Sequence, residues 1–245
     1  MMPKIYVVGT GPGHPEEMTP RARKVLEKVE IIIGYRTYVD LIRASFPGKE
    51  FISSGMTQEV ERCVTALEKA LEGKDVALIS GGDSGIYGMA GIMLEVVNQS
   101  GHPVAVEIIP GVTAANAAAA VLGAPIMHDF AVISLSDRLT PLELIYKRLE
   151  CAAAGDFVIC LYNPKSNGRT GHLATARKII LKYREGATPV GIVRNAARED
   201  ETHQIATLES MLDYGIDMFT VVIIGNSGTY LANGRMITPR GYIIK

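Results

Sequence analysis

The sequence contains no tryptophan, only three cysteines among 245 residues, and no apolar run approaching the length needed to cross a bilayer, about 20 residues. Cys63, Cys151 and Cys160 form no CxxC pair and are odd in number. That argues against a disulfide framework and a zinc site, and for buried, reduced thiols with no metal bound by the protein itself. Net charge is lacking too. Lys and Arg total 25 against 26 Asp and Glu, so no global field gathers nucleic acid or an anionic membrane surface. The opening MMPKIYVVGTGPG enters a strand-like run with no apolar leader or cleavage site, and a cytoplasmic location is expected. What remains is ordinary globular composition, 47% hydrophobic and 21% charged, in a length that suits one large domain or two of about 120 residues.

Short β-branched runs alternate with helical stretches. Strands are predicted at 5–8, 30–33, 75–80 and 105–110, with helices near 18–28, 58–71, 86–98 and 114–122 between and after them. This βα alternation argues for a largely parallel sheet covered on both faces. The rhythm pauses at Gly123-Ala124-Pro125 and a second set follows: strands at 131–135, 156–162 and 189–193, a helix opened by Thr140 as cap with Pro141 at its first position, and another near 171–183. The last sixty residues read as antiparallel strands with little room for crossover helices. The expectation is an α/β chain of two domains, 1–125 and 126–245, the second with a mixed sheet.

Several familiar loop patterns are also missing. GTGPGHP (9–15) follows the first strand but carries His14 where a dinucleotide fingerprint needs its third glycine, and Pro12 and Pro15 prevent a helix from starting inside it. No GxxxxGK phosphate cradle occurs. SGGDSGIYG (80–88) contains GDSG, yet Ile86 occupies the place where both the serine-protease loop and the GxSxG elbow require glycine. Ser84 therefore reads as a turn residue capping a helix near Gly85. Asp83 is open to two readings: a helix cap, or an acceptor for a ligand's hydroxyl or ammonium group, with glycines letting the ligand approach the backbone. PGVTAANAAAA (110–120) places small residues at a helix start, suited to close packing or to a ligand on the exposed amides. LYNPKSNGR (161–169) and VRNAARED (193–200) read individually as turns.

Taken together and in order, VVGTGPGHPEEMT, SGGDSGIYG, PGVTAANAAAA and VRNAARED resemble the tetrapyrrole methylase family of S-adenosylmethionine-dependent methyltransferases. The family's usual GDP is Gly82-Asp83-Ser84 here, which keeps the carboxylate. GYRTYVDLI (34–42), ISSGMTQEVER (52–62), HDFAVISLSDRLTPLELI (128–145) and LYNPKS resemble the branch that methylates carbon-17 of a precorrin-3-type ring in cobalamin (vitamin B12) biosynthesis. The resemblance implies two α/β domains of a non-Rossmann type with the cofactor cleft between them. It implies that S-adenosylmethionine is held by Gly82, Asp83, Ile86, Tyr87, Thr113, Ala114, Tyr162, Asn195 and Ala196, with Gly11 and Pro12 near its sulfonium end. It also implies a homodimer.

Methyl transfer to an electron-rich macrocycle carbon asks the protein mainly to align and desolvate two ligands. The ring contraction that accompanies it in the resembled branch needs proton movements. His128 and Asp129 are the first candidates for these, Ser136 and Asp137 weaker ones. The substrate's carboxylates call for arginine forks, with Arg36 and Arg194 foremost and Arg21 weaker. Competing expectations are another corrin carbon, a protein residue as in diphthine synthesis, a regulatory module that binds S-adenosylmethionine without turnover, or a nicotinamide oxidoreductase. His14 and Pro12 weigh against the last.

Overall fold

Along Ile5–Val8 the side chains alternate between two apolar layers, and that alternation organises the amino-terminal half. In the computed structural model, which describes residues 3–243 apart from 167 and 169, the chain divides into units Met1–Ala114 and Ala115–Lys245. The first unit runs β1 (Lys4–Gly9), α1 (Pro20–Lys28), β2 (Ile31–Tyr35), α2 (Arg36–Ile42), β3 (Glu50–Ser54), α3 (Glu59–Leu71), β4 (Val76–Ser80), α4 (Ala90–Ser100) and β5 (Ala105–Ile109). Its sheet has the order β3-β2-β4-β1-β5 with every pairing parallel. Ile5 and Val7 pack with residues of α3 and α4, while Tyr6 and Val8 pack with those of α1 and α2. Helices on both faces explain why β4 is buried from end to end and reads as an apolar run.

The second unit takes in nearly all of α5 (Ala114–Leu122), then β6 (Gly123–Ala124), β7 (Phe130–Ser134), α6 (Leu142–Ala154), β8 (Val158–Tyr162), α7 (His172–Ile180), β9 (Pro189–Arg194), β10 (Thr202–Thr207), β11 (Thr220–Ile224), β12 (Tyr230–Ala232) and β13 (Arg235–Ile237). Its main sheet has the order β10-β9-β11-β8-β7, parallel only between β7 and β8. Because β8 and β9 both run antiparallel to β11, the carboxyl ends of β7, β8 and β9 share one edge. A small sheet, β12-β13-β6, adds a parallel pairing through Gly123 and Ala124.

Several expectations shift. The division into units falls at 114, and α5 packs within the second: Leu122 sits so close to Gly191 that a Cβ there would lie 2.2 Å from it. The edge strand β3 and the helix α2 were not predicted. Pro15–Glu17 forms one 3-10 turn capped by His14 Nδ1, so the prolines permit a short turn where none was expected. Pro141 occupies the cap position in an extended conformation, and α6 starts one residue later without a side-chain cap from Thr140.

Candidate cofactor site

Three glycines meet backbone to backbone at the carboxyl ends of β1, β4 and β5. A Cβ on Gly9 would lie 2.7 Å from both Gly111 N and Gly82 O, and one on Gly111 would lie 2.2 Å from Gly82 O. Only glycine allows that approach. Gly11 and Gly82, both with positive φ, exchange backbone bonds: Gly11 N–H donates to Gly82 O at 3.1 Å and Gly82 N–H to Gly11 O at 2.7 Å. Thr10 ties the same junction, donating through N–H and Oγ1 to Ser80 O. GTGPG and SGGDSG are therefore one structure, with Gly11 and Pro12 buried in it.

Asp83 holds the loop together. Oδ1 accepts from Gly85 N–H at 2.8 Å and Ile86 N–H at 3.2 Å, and Oδ2 accepts from Gly111 N–H at 2.9 Å. The carboxylate thus joins the loop after β4 to the loop after β5. It caps no helix, since α4 begins only at Ala90. The role expected for Ser84 is corrected likewise: it is fully buried, its Oγ donates to Ile109 O at 3.1 Å, and its carbonyl accepts from Ala90 N–H. Gly88 lets the loop close, as a Cβ there would lie 2.4 Å from Ser84 O.

The loop leaves Ile86 and Tyr87 turned outward, Tyr87 59% exposed and at φ 53°, a conformation that L residues adopt reluctantly. Beside them, a Cβ on Gly82 would find nothing nearer than 3.7 Å and would face Thr113 and the Ala114 N–H. Backbone donors and acceptors, an open glycine and two outward apolar side chains suit the polar tail and flat base of S-adenosylmethionine. The residues of this unit fit that group. Arg36 opens α2 at the carboxyl end of β2, exposed on the same edge. Arg21 is committed to Glu107 at 2.8 Å, and with Lys4 it holds that carboxyl below its usual range.

In the second unit, Tyr162 ends β8 and Asn195 and Ala196 follow β9, so all three share the carboxyl edge of the main sheet. Tyr162 Oη accepts from Ala115 N–H at 2.7 Å. Asn195 is buried at φ 52°, its N–H donates to Phe219 O, and its Nδ2 donates to Asp200 at 2.7 Å; Ala196 is buried beside it. Arg194 pairs with Asp217 at 2.8 Å and Asp200 at 3.5 Å, which occupies its fork internally. Burial pushes the Asp217 carboxyl up, but Arg194 and the Phe219 and Thr220 donors outweigh it and hold it low.

His128 and Asp129 lie elsewhere. They precede β7, at the amino edge of the parallel β7–β8 pair and so opposite Tyr162, with side chains 46% and 79% exposed and His128 Nδ1 accepting from Asp129 N–H. A polar cluster not singled out as a whole in the sequence stands instead at the carboxyl edge: His172, Asp137, Ser134 and Asn163. Among the described residues no group of three or more His, Cys, Asp or Glu is placed to hold a metal ion, and no helix is long and apolar enough to cross a membrane.

Three loops at the carboxyl ends of parallel strands, joined glycine to glycine, and a carboxylate spent on backbone amides make up the candidate site. The chain belongs to the Tetrapyrrole (Corrin/Porphyrin) Methylases, matched over residues 4–212, and is an S-adenosylmethionine-dependent C-methyltransferase. It is 49% identical over 246 residues to the cobalt-factor III methyltransferase of Priestia megaterium, covering 99% of this chain but only 46% of that longer protein. It is 50% identical over 240 residues to the probable cobalt-factor III C(17)-methyltransferase of Salmonella typhimurium (strain LT2), covering 98% of this chain and 100% of that one. The crystal structure of the methyltransferase CobJ matches with a TM-score of 0.90 at 34% identity, over 97% of this chain and 100% of that chain.

Proposed function

We propose that the protein methylates carbon-17 of a precorrin-3-type tetrapyrrole, of which cobalt-factor III is the form its relatives' names favour, with contraction of the ring, in cobalamin biosynthesis. The observation that carries this reading is the Gly9–Gly82–Gly111 junction stapled by Asp83, in a chain alike over nearly its whole length to methyltransferases of that substrate. S-adenosylmethionine supplies an electrophilic methyl group on a sulfonium. In the first unit, Gly82, Asp83, Ile86, Tyr87, Thr113 and Ala114 hold it, with Gly11 and Pro12 at its reactive end. The resemblance assigns Tyr162, Asn195 and Ala196 of the second unit to the same cofactor.

Arg36, exposed at a strand's carboxyl end, is the better placed arginine for a substrate carboxylate, since Arg194 is held by two aspartates. Cobalt arrives within the substrate rather than on the protein. The protein works in the cytoplasm as a homodimer without nucleic acid or membrane partners. An apolar stripe on α3, where Val60, Val64 and Leu71 are exposed at helical spacing, supports a protein-covered face. The test is incubation with S-adenosylmethionine and cobalt-factor III or precorrin-3B. A tetrapyrrole gaining one methyl group, with S-adenosylhomocysteine formed in equal amount, is expected; conversion of neither would overturn the proposal.

A further inference from the structure

We propose that His172 is the base that takes up the proton the tetrapyrrole releases when it is methylated, with the Leu135 carbonyl orienting its ring and the Asp137 carboxylate beside Nε2 as a counter-charge. This rests on the methyltransferase reading above. Methylation moves one positive charge from sulfur to the macrocycle. The ring carbon forms its bond to the methyl group, the carbon–sulfur pair stays on sulfur as a neutral thioether, and the macrocycle becomes an iminium cation. One proton bound to the macrocycle must then leave to restore its charge, and a positioned acceptor speeds that loss.

Four observations point to His172. It is the first residue of α7 and stands at the carboxyl edge of the β7–β8 pair, where open α/β sheets bind ligands, on the same edge as Tyr162. Its Nδ1 lies 3.1 Å from Leu135 O. A carbonyl oxygen only accepts, so Nδ1 carries the proton and Nε2 is left as the basic nitrogen. Nε2 is 3.7 Å from Asp137 Oδ2, beyond hydrogen-bond reach, with the carboxylate standing beside it as a counter-charge. Its side chain is 16% exposed, reachable yet shielded, whereas His128 is 46% exposed at the opposite end of the strands.

Hydrogen bonds tie the surroundings together. Asn163, at φ 51°, donates to Ser134 Oγ at 2.9 Å, Ser136 N–H donates to the same oxygen, and Leu135 N–H donates to Tyr162 O. The segment that carries Asp137 and the Leu135 carbonyl is thereby fixed against β8. The proton accepted at Nε2 passes on to water, and the imidazole returns unchanged.

His172→Gln tests this, because the glutamine amide can still donate to Leu135 O but accepts no proton. The expected result is a fall in kcat of about 100-fold or more with unchanged S-adenosylhomocysteine affinity by calorimetry, and partial recovery of His172→Ala by added imidazole. Asp137→Asn should lower kcat with little change in KM. A His172→Gln enzyme within about threefold of wild type overturns the inference and leaves the methyltransferase reading intact. So does a variant that loses cofactor affinity along with activity, which would mark a structural role. A wild-type protein that binds S-adenosylhomocysteine but methylates no tetrapyrrole overturns the reading, and the inference with it.

Discussion

Replacing Asp83 with alanine removes three hydrogen bonds, two within its own loop and one to Gly111, 28 residues away, and the cost follows from their burial. The Gly85 and Ile86 amides are exposed, so water replaces the carboxylate there and each lost bond costs about 0.5–1 kcal/mol. The Gly111 amide is partly buried and loses its acceptor, which costs about 1–3 kcal/mol. The sum, roughly 2–5 kcal/mol, lowers Tm by about 5–15 °C for a chain of this size. Asp83→Asn keeps one amide oxygen and should cost about half as much, since either orientation sets its NH2 group against a backbone donor. Thermal unfolding followed by circular dichroism reads both, and S-adenosylhomocysteine titration should show weakened binding in the same order, alanine worse than asparagine. An Asp83→Ala protein melting within about 1 °C of wild type would refute the staple.

Gly111→Ala should be worse than Asp83→Ala in urea unfolding, because its Cβ would meet the Gly82 carbonyl at 2.2 Å and backbone must move. Gly191→Ala should destabilise by pressing on the Leu122 side chain, and the Leu122→Ala/Gly191→Ala double variant should be more stable than the two single costs added together. Burial pushes the Cys63 and Cys160 thiols up to about 12, so in a thiol titration at pH 8 the native chain should show one fast thiol, the exposed Cys151, and two more only on denaturation. Glu107, Asp156 and Asp217 all titrate below their ordinary values in the fold. Stability linked to them is therefore present above the unfolded carboxylate range, about pH 4, and lost as pH falls through the lower folded values. Arg194→Gln should move the acid-unfolding midpoint to higher pH by releasing Asp217.

The parallel sheet of the first unit was legible because strands buried on both faces read as apolar runs, as Val76–Ile79 does. β3 was not, because it is a short edge strand with an exposed and half-buried pattern. α2 leaves little sequence signal because Arg36–Ile42 is only two turns long and follows β2 without a linker. At the site, the types of Asp83 and its glycines signalled a ligand loop, and the resemblance gave the ligand. The sequence showed neither that Ser84 is buried against Ile109 nor that Asp83 reaches Gly111, since those partners come from another strand end. The His128-Asp129 pair stands out in the sequence because it opens the HDFAVISLSDRLTPLELI stretch of the resemblance, at the expected domain junction. What separates it from His172 is which end of β7 each occupies, and that is decided by sheet direction rather than by local pattern. A histidine opening a helix just after the strand–Asn-Pro loop was the one signal that could have found the second cluster.

The most direct measurement is to supply S-adenosylmethionine carrying a carbon-13-labelled methyl group together with cobalt-factor III, and to locate the label in the product by NMR. Label on carbon-17, in step with S-adenosylhomocysteine release and lost in Asp83→Ala, is the predicted result. Cofactor binding without any labelled tetrapyrrole, or label on a different ring carbon, would contradict it.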